Sequence, residues 1–547
     1  MRSIFHADIC LAAAFVALVA GPALAQPQIN PVPNACTRFQ PGDIVGNPPA
    51  LFSANGVLAV NFSYQTTTDA AGRQLYCFMT PAGLENPTLH VRPGDHLTIN
   101  VTNNVPASSG MSMAVSTASN RCGAAIMTAT SVNVHYHGTN TSPSCHSDEV
   151  IHTLINSGES FHYDVAFPAD EPPGLYWYHP HVHGIAEGAV LGGASGAIIV
   201  DGLQAIQPSV AGLRERVLLV RDQNVAGNPP PGGAVPSWDL SLNYVPIPFP
   251  ALTPSVIHMR PGQRELWRVG NLAADTILDL QVVFDGVVQP LEVVGLDGVP
   301  TGSQDGTRQG KVVQASHLRL PPASRAEFIV TGPAASIAHA VFQTAQIATG
   351  PNGDNDTQRT LATIQTVAAD ADVETNDARV PAVSGAPWAQ RFEGLAAAPV
   401  SATRRLYFSE NATQTQFFIT VDGQTPAVFD PNNPPAVVTT QGSVEEWTIE
   451  NRAQENHEFH FHQIHFLVQS QDNFEVNGGQ PVATIQGQFM DMIEIPFWDG
   501  NPMHPFPSVR VRMDFRGPDV GDFVYHCHIL NHEDQGMMAI IRVLPHK

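Results

Sequence analysis

The sequence predicts an all-β protein of three consecutive domains, each a sandwich or barrel of short antiparallel strands. Three observations lead to this fold class. Short runs of Val, Ile, Phe and Thr are broken by Pro, Gly and Asn along the whole chain, which holds 46 Pro and 44 Gly, while helical periodicity is scarce. The length of 547 residues corresponds to about three domains at roughly 100–200 residues each. A short internal repeat also occurs three times.

The repeat joins a Gly to an Asn nine residues later, with an apolar residue five positions after the Gly. This pattern is typical of a turn that enters a half-buried strand. The three pairs are Gly94 and Asn103, Gly262 and Asn271, and Gly442 and Asn451, with Ile99, Trp267 and Trp447 at the apolar position. The copies are 168 and 180 residues apart, which is the size of a domain. We therefore predict domain one at residues 26–205, domain two at 206–385 and domain three at 386–547.

The composition excludes two classes of protein. With 49 Asp and Glu against 26 Lys and Arg, the formal charge is -23 at pH 7, and so acidic a chain is repelled by nucleic acid and by anionic lipid. Disorder is excluded because 26 Phe and 6 Trp, with only 14% charged residues, can bury a core. The unusual number is 23 His, an excess that indicates metal binding where the spacing supports it.

The N-terminus has the pattern of a secretory signal peptide. Arg2 precedes an apolar run from Ile9 to Ala20, and the small residues Ala23 and Ala25 follow. We expect cleavage after Ala25, which makes residues 1–25 the signal, and export by the general secretory route because no twin-Arg pair is present. The mature protein is expected in the periplasm or secreted. No later stretch offers about 18 apolar residues in succession, so no membrane span is predicted.

The cysteines predict two disulfides and one special thiol. Once Cys10 has left with the signal, an odd number remains: Cys36, Cys77, Cys122, Cys145 and Cys527. Cys527 lies far from the others, between two His residues, and is the one expected to be a metal ligand or a reactive thiol. The other four allow three pairings, and their spacing does not choose among them.

Fifteen of the 23 His lie in four short clusters, within residues 134–162, 178–184, 456–466 and 525–532. Two clusters fall in predicted domain one and two in domain three, so metal chemistry is expected where these domains meet. Each cluster holds a His-x-His pair, and on a strand such a pair projects to one side. The pairs are His135 and His137, His179 and His181, His460 and His462, and His526 and His528. One pair alone is weak evidence, because hydrogen-bonded His also occur on partly buried strands.

Cys527 sharpens the prediction, because on a strand it faces away from both His526 and His528. One strand then presents a thiolate to one site and two imidazoles to another. His532 follows Cys527 by five residues, and Met537 follows His532 by five. A Cys with His ligands and a weak thioether is typical of a blue copper centre. Zinc is the rival metal, but its structural sites usually carry closely spaced Cys pairs.

With these motifs the chain resembles the three-domain multicopper oxidases of the laccase type, along essentially the whole mature sequence. The resemblance implies three cupredoxin-like Greek-key domains and four copper ions per chain. By resemblance, the type 1 copper is held by His457, Cys527, His532 and the axial Met537, the type 2 copper by His135 and His460, and the type 3 pair by His137, His179, His181, His462, His526 and His528. No position of the ligand pattern is empty, which argues against a copper-free scaffold and against a two-domain copper nitrite reductase.

The resemblance also implies the reaction. A reducing substrate gives up single electrons at the type 1 copper, and four electrons reduce O2 to water at the type 2 and type 3 cluster. Two acids match family positions for proton delivery, Asp148 and Glu533. The alternatives for Asp148 are an ordinary loop carboxylate or a role for its neighbour Glu149 instead, and the alternative for Glu533 is an ordinary acid, either at the surface or behind the ligands.

Phenols or aromatic amines are the first expectation for the substrate, since they are the commonest donors that the resemblance implies. Oxidation of Cu(I), Mn(II) or Fe(II) is the alternative, and the charge of -23 leaves an attraction for cations open. Met490, Asp491 and Met492 form the only compact Met and acid group, and both Met are expected to face the core. The axial Met537 predicts a low to moderate type 1 potential. The natural donor and the oligomeric state do not follow from the sequence.

Overall fold

The computed structural model describes residues 35–107, 122–123, 126–305, 307–368, 391–474 and 483–546. The predicted signal peptide with Cys10, and the predicted boundary between residues 385 and 386, lie outside the described residues. The all-β prediction is confirmed, because strands dominate the described chain. The described helices are short: α1 (Ala186–Leu191), α2 (Leu203–Ile206) and α3 (Leu530–Asp534), with 3-10 turns at Pro208–Val210, Leu395–Ala397 and Ala483–Ile485.

A first pair of sheets is built before residue 201. Its strands are β1 (Ala50–Phe52), β2 (Val57–Thr68), β3 (Gln74–Met79), β4 (Thr88–Val91), β5 (His96–Asn103), β6 (His135–His137), β7 (Ser160–Ala166), β8 (Gly174–His179) and β9 (Gly196–Val200). One sheet has the order β1-β4-β9-β8-β6 and the other β3-β2-β5-β7. Strict alternation of buried and exposed residues along β7 shows why it forms a strand with one solvated face.

A second pair of sheets follows in the chain. Its strands are β10 (Arg214–Asn224), β11 (Trp238–Leu242), β12 (Val245–Ile247), β13 (Ser255–Met259), β14 (Arg264–Asn271), β15 (Leu278–Phe284), β16 (Val287–Val288), β17 (Leu291–Leu296), β18 (Val299–Pro300), β19 (Val313–Ala315), β20 (Leu318–Leu320), β21 (Arg325–Thr331), β22 (Ala340–Thr344) and β23 (Arg359–Thr366). One sheet runs β12-β11-β10-β14-β21-β17-β18 with β19 on β17, and the other β13-β23-β22-β15-β16 with β20 on β15. Ile44, from before the first pair, forms a parallel bridge with Val256 of this second pair.

The third pair of sheets carries two of the histidine clusters. Its strands are β24 (Ala402–Glu410), β25 (Phe417–Val421), β26 (Val437–Thr440), β27 (Val444–Asn451), β28 (His457–Phe461), β29 (Phe466–Asp472), β30 (Phe489–Met490), β31 (Met492–Ile495), β32 (Ser508–Asp514), β33 (Gly521–His526) and β34 (Met538–Leu544). The two orders are β25-β24-β27-β32-β29-β30 and β26-β34-β33-β28-β31. In the second of these sheets β28 and β33 are neighbours, which brings His460 opposite His526.

The internal repeat is confirmed as one strand in each pair of sheets. β5, β14 and β27 each have eight residues and end on the repeat Asn. Each begins two residues after the repeat Gly, which has a positive φ of 87°, 67° or 94° that favours Gly. The three apolar residues are fully buried. The Asn amides donate to loop carbonyls, as Asn271 does to Thr276 O at 2.9 Å, and so tie the strand end to the next loop.

The three pairs of sheets are packed together by one shared apolar cluster. It contains Leu175 and Trp177 from β8, Leu219 from β10, and Met492 from β31, all fully buried. Burying a side chain of this size contributes ~1.5–3 kcal/mol. The prediction that Met490 and Met492 face the core is confirmed by their burial. The cluster lies directly beneath the histidines, since Trp177 stacks on the ring of His179 at 4.1 Å.

The cysteine prediction is also confirmed. Cys36 is bonded to Cys77 and Cys122 to Cys145, while Cys527 is the free, buried thiol of the described chain. Among the described residues, no helix has the length and apolar character needed to cross a membrane.

Candidate metal centres

Eight predicted ligand histidines come together where four strands end. The first pair of sheets contributes His135 and His137 on β6 and His179 at the end of β8, and the third pair contributes His460 on β28 and His526 at the end of β33. The partners His181, His462 and His528 lie just beyond their strands. The expectation that all four His-x-His pairs alternate within a strand is therefore wrong for three of them. Those pairs reach the same site because the chain turns inward at the strand end.

All eight rings lie close together, and the shortest centroid distances are 3.9 Å between His135 and His462 and 4.0 Å between His137 and His460. The resemblance implies two groups of three rings and one pair. The rings of His137, His179 and His528 have centroids 4.8, 5.4 and 5.8 Å apart. The rings of His181, His462 and His526 have centroids 4.9, 4.9 and 5.2 Å apart. His135 and His460 complete the set, 6.1 Å apart. We call these eight residues the histidine cluster, and each group combines residues from the first and third pairs of sheets.

The inner nitrogens of the histidine cluster have the arrangement that a metal requires. All eight side chains are buried, and burial lowers the pKa of seven of them, that of His526 to about 3. Neutral imidazoles offer lone pairs, which transition-metal ions such as copper bind. Nε2 of His526 lies 3.1 Å from Nε2 of both His181 and His462. Further ring nitrogens have no hydrogen-bond partner among the described residues: Nε2 of His135, His179, His460 and both nitrogens of His137 and His528.

In three of these rings the outer nitrogen is hydrogen-bonded to a backbone carbonyl, and this fixes which atom faces inward. Nδ1 of His179 donates to Pro180 O at 2.8 Å, Nδ1 of His460 to Asp491 O at 2.9 Å, and Nδ1 of His526 to Cys527 O at 2.8 Å. A hydrogen bond at one ring nitrogen sets the tautomer and leaves the other nitrogen as the ligand atom. The donor set therefore fits copper at the histidine cluster.

Asp148 lies beside the histidine cluster, as predicted. Both of its carboxylate oxygens are 3.0 Å from Nδ1 of His135. The backbone N–H of Tyr136 and the side-chain amide of Gln463 donate to it at 3.0 and 2.6 Å. Burial raises the pKa of Asp148 to about 7, although these hydrogen bonds oppose the shift. Gln463 was not singled out from the sequence, although it lies inside the third histidine motif.

Glu533 is a buried acid on α3. Neither of its carboxylate oxygens has a hydrogen-bond partner among the described residues, and Nδ1 of His183 lies 3.6 Å away. Burial raises the pKa of Glu533, but the neighbouring His181 and His183 outweigh it and lower the pKa to about 2. The alternative of a surface acid is excluded by its burial.

A second cluster surrounds the free thiol. Sγ of Cys527 lies 3.8 Å from Nδ1 of His457 and 3.7 Å from Nδ1 of His532, and the two Nδ1 atoms are 3.1 Å apart. The backbone N–H of Glu458 donates to Sγ at 3.4 Å. Burial raises the pKa of the Cys527 thiol well above its ordinary value, so a bound cation is what would hold it as the thiolate. We call these three residues the thiol cluster.

Met537 is fully buried next to the thiol cluster. Its carbonyl accepts from the Cys527 N–H at 3.0 Å, and its own N–H donates to His532 O at 3.0 Å. Gly536 permits this turn, because its φ is 113° and a Cβ there would lie 2.7 Å from Cβ of Val428. The backbone therefore holds Met537 between two residues of the thiol cluster.

The two clusters are joined by the polypeptide itself. Cys527 directs its thiol to His457 and His532, whereas its neighbour His526 directs Nε2 to His181 and His462. The predicted opposition of Cys527 to its flanking histidines is confirmed. Few covalent bonds separate the sulfur from the imidazole of His526, which provides a short path for electrons.

An acidic pocket adjoins the thiol cluster at His532. The pocket has a volume of about 240 Å³ and lies between the second and third pairs of sheets. Asp275, Asp354, Asp356 and Glu455 line it, and the lining residues that the structure describes include no Lys or Arg. Glu455 Oε2 lies 3.5 Å from Nε2 of His532. The ring of Phe417 stacks on His532 at 4.3 Å and forms part of the apolar wall.

The acids of this pocket keep free oxygens although they are nearly buried. Asp275, Asp356 and Glu455 are 2%, 3% and 4% exposed, and Oδ2, Oδ1 and Oε1 respectively lack a hydrogen-bond partner among the described residues. Burial raises the pKa of Glu455 to about 7 and that of Asp356 to about 8. Unpaired buried carboxylates are costly unless a cation or a proton joins them. The pocket was not predicted from the sequence, because its acids are up to 180 residues apart, from Asp275 to Glu455.

Comparison with known proteins identifies the relatives of this chain. Residues 125–205 and 398–547 match two family models, both described as Multicopper oxidase. The Multicopper oxidase LPR1 homolog 5 of Oryza sativa subsp. japonica is 23% identical over 436 residues, which cover 69% of this chain and 62% of that protein. The Multicopper oxidase mco of Staphylococcus aureus is 32% identical over 131 residues, 23% of this chain and 24% of that protein. The chain thus matches less than two thirds of the length of these curated relatives.

Solved structures share the fold. The McoA multicopper oxidase of Aquifex aeolicus has a TM-score of 0.64 at 18% identity, over 92% of this chain and 99% of that one. The multicopper oxidase of Campylobacter jejuni, described as a metallo-oxidase, has a TM-score of 0.63 at 20% identity, over 95% of this chain and 99% of that one. At these identities the likeness shows the fold alone, and it confirms the predicted cupredoxin-like fold class.

Proposed function

Since this chain belongs to the multicopper oxidase family, we propose that it oxidises a small cationic donor, foremost a metal ion such as Fe(II) or Mn(II), and passes the electrons to O2. The observation that carries the choice of donor is the acidic pocket at His532, with its free carboxylate oxygens. Carboxylate oxygens are the ligands that hard metal cations prefer. This reverses the expected order of substrates, in which phenols and aromatic amines came first.

The ligand sets follow the two clusters. His457, Cys527, His532 and Met537 would hold the type 1 copper. His135 and His460 would hold the type 2 copper, and the two groups of three histidines would each hold one type 3 copper, which makes four copper ions in all. The free inner nitrogens and the buried thiol support these assignments. When bound, copper supplies one-electron oxidation at the thiol cluster and four-electron reduction of O2 to water at the histidine cluster.

The pocket residues bind and orient the donor. Asp275, Asp356 and Glu455 release protons as the cation enters, because their raised pKa values fall again beside a positive charge. Glu455 holds the cation next to the Nε2 edge of His532. Burial lowers the pKa of His532 to about 4, so this ring is neutral and does not repel the donor.

Two acids serve the protons of the O2 reaction. Asp148 touches Nδ1 of His135 and is held by Gln463, so it can pass a proton to the histidine cluster without moving. Glu533 contacts His183, whose side chain is 27% exposed, and a pair of this kind connects buried groups with solvent. These roles rest on the contacts and on the family resemblance.

A second donor class is favoured by the apolar wall. Phe417, Trp238 and Ile277 line the same pocket and offer a surface for an aromatic amine, whose N–H groups can donate hydrogen bonds to the acids. A phenol offers a single O–H donor and fits this pocket less well. Export to the periplasm or medium is also proposed, supported by the two disulfides, which persist in oxidising compartments.

Steady-state oxygen uptake tests the choice of donor. The purified, copper-loaded protein is assayed with Fe(II), Mn(II), Cu(I), an aromatic diamine and a phenol. We expect the highest kcat/KM for a metal ion and the lowest for the phenol. A clear preference for the phenol overturns the proposed donor and leaves the oxidase assignment standing.

A further inference from the structure

A buried ion pair from outside the histidine motifs lies against the histidine cluster. Arg325, the first residue of β21, donates from Nη1 to Asp491 Oδ1 at 2.7 Å and from Nη2 to Oδ2 at 2.6 Å. Neither side chain is more than 1% exposed. A bidentate pair of this kind holds both partners in one geometry. Because desolvation offsets much of its attraction, the pair is better explained by what it positions than by stability.

Asp491 contacts two histidines through two different groups. Its backbone carbonyl accepts from Nδ1 of His460 at 2.9 Å. Its Oδ1 lies 3.4 Å from Nε2 of His137, an ion-pair distance slightly too long for a good hydrogen bond. The two rings stack at 4.0 Å. One residue therefore faces the outer edges of both rings, and Nδ1 of His137 and Nε2 of His460 are left to face inward.

The chain leaves no space for a side chain above this pair. Gly138, which follows His137, has a φ of 80°. A Cβ at Gly138 would lie 2.2 Å from both Arg325 Nη2 and Asp491 Oδ2. The turn after His137 therefore rests directly on the ion pair, and this explains the Gly at the end of the first histidine motif.

Arg325 is itself fixed from several sides. Its Nε donates to Leu175 O and its Nη1 to Ala323 O, both at 3.1 Å, and Asp297 accepts from its backbone N–H at 2.8 Å. The described ion pairs of Asp491 include no other Arg and no Lys. Arg325 is thus the group that holds the Asp491 carboxylate in place. It comes from the second pair of sheets, which contributes no predicted copper ligand.

We propose that Arg325 and Asp491 are positioning residues of the histidine cluster. Arg325 holds Asp491, and Asp491 sets the ring orientation and tautomer of His137 and His460. The second pair of sheets thereby orients ligands of a copper site that is built from the first and third pairs. This inference rests on the proposed role of His137 and His460 as copper ligands. Groups that orient metal-bound His in this way typically change metal affinity by about 10–100-fold.

Asp491→Asn and Arg325→Lys test the proposal. The first variant keeps the size and the backbone carbonyl but loses the charge, and the second keeps the charge but loses the bidentate geometry. The full-length proteins are compared by copper analysis, by EPR and by the rise in Tm on loading the apoprotein with copper. We expect both variants to keep the blue colour of the thiol cluster and to bind copper at the histidine cluster about 10–100-fold more weakly. Their copper-induced rise in Tm is smaller for the same reason.

Arg216→Lys is the matched control. Arg216 is equally buried, lies in the second pair of sheets and forms an ion pair with Glu265 at 3.1 Å. In the described structure it contacts no residue of the histidine cluster. We expect a lower Tm with unchanged copper content and EPR spectrum. If Asp491→Asn does not fold, the comparison of Arg325→Lys with the wild type tests the proposal.

Three outcomes separate this inference from the proposed function. If the wild type binds copper and Arg325→Lys has the same copper content and EPR spectrum as the wild type, the positioning role is contradicted and the proposed function is not. Equal copper loss in Arg216→Lys also contradicts it, because the effect is then one of stability. A wild type that binds no copper at the histidine cluster contradicts the proposed function itself.

Discussion

Oε2 of Glu455 lies 3.5 Å from Nε2 of His532, so one carboxylate borders both the acidic pocket and the thiol cluster. The other acids of the pocket come from the second pair of sheets. A cation bound among them reaches the edge of a ring whose Nδ1 is 3.7 Å from Sγ of Cys527. In the proposed function, the contact between Glu455 and His532 connects donor binding with electron entry.

Glu455→Gln should weaken oxidation of a metal ion. Loss of one charge in a partly desolvated pocket raises KM for Fe(II) or Mn(II) by about tenfold, which corresponds to ~1.4 kcal/mol. KM for a phenol should change little. The control is Asp164→Asn, an exposed acid on β7. Equal effects of Glu455→Gln on metal ion and phenol would count against cation binding in the pocket.

Cation binding should strengthen as the pH rises. Burial raises the pKa of Glu455 to about 7 and that of Asp356 to about 8. The contribution of these two acids to the stability of the fold is therefore complete below their pKa in the unfolded chain, about 4, and is lost as the pH rises through 7 to 8. A cation favours the ionised form and reverses that loss. The rise in Tm caused by Mn(II), measured without oxygen in Cys527→Ser, should be larger at pH 8 than at pH 6. Equal rises at both pH values contradict the proton exchange.

Asp148→Asn should slow the O2 reaction but not reduction of the blue centre. The amide cannot accept a proton, and losing general acid or base catalysis costs about 100-fold or more. Stopped-flow measurement of blue-centre reduction and of reoxidation by O2 separates the two steps. Glu149→Gln, at the neighbouring residue, is the control. If Glu149→Gln alone slows reoxidation, the proton role moves to Glu149.

Met537→Leu should raise the potential of the type 1 copper. A thioether donor stabilises the oxidised metal, and an apolar side chain of similar size does not. Redox titration of the blue colour measures the effect. An unchanged or lower potential means that Met537 is not the axial residue.

The four histidine motifs and the special position of Cys527 were predictable because each motif is local, and the ligand roles came from the family resemblance. Cys527, His526 and His528 are neighbours in sequence, so alternation of side chains was enough to separate two clusters. His181 does not fit this alternation, because it follows Pro180 beyond the end of β8. Strand alternation does not apply there, and the turn at the strand end carries His181 into the cluster instead.

The acidic pocket and the Arg325 pair were not predictable in this way. Asp275 and Glu455 meet only because the second and third pairs of sheets pack together. Arg325 and Asp491 are separated by 166 residues and belong to no motif. Asp491 did stand out, as the acid between Met490 and Met492, but its partner is set by tertiary packing. Local patterns gave the proposed ligands, whereas the residues proposed to orient the ligands and the donor depend on long-range contacts.

Copper analysis, together with the absorption and EPR spectra of the wild type and Cys527→Ser, tests whether the two clusters bind copper. We expect about four copper ions per chain and a blue wild type. Cys527→Ser should be colourless and hold about one copper fewer, with the EPR signal of the histidine cluster retained. A wild type without copper or blue colour, or a Cys527→Ser variant that stays blue, would contradict this expectation.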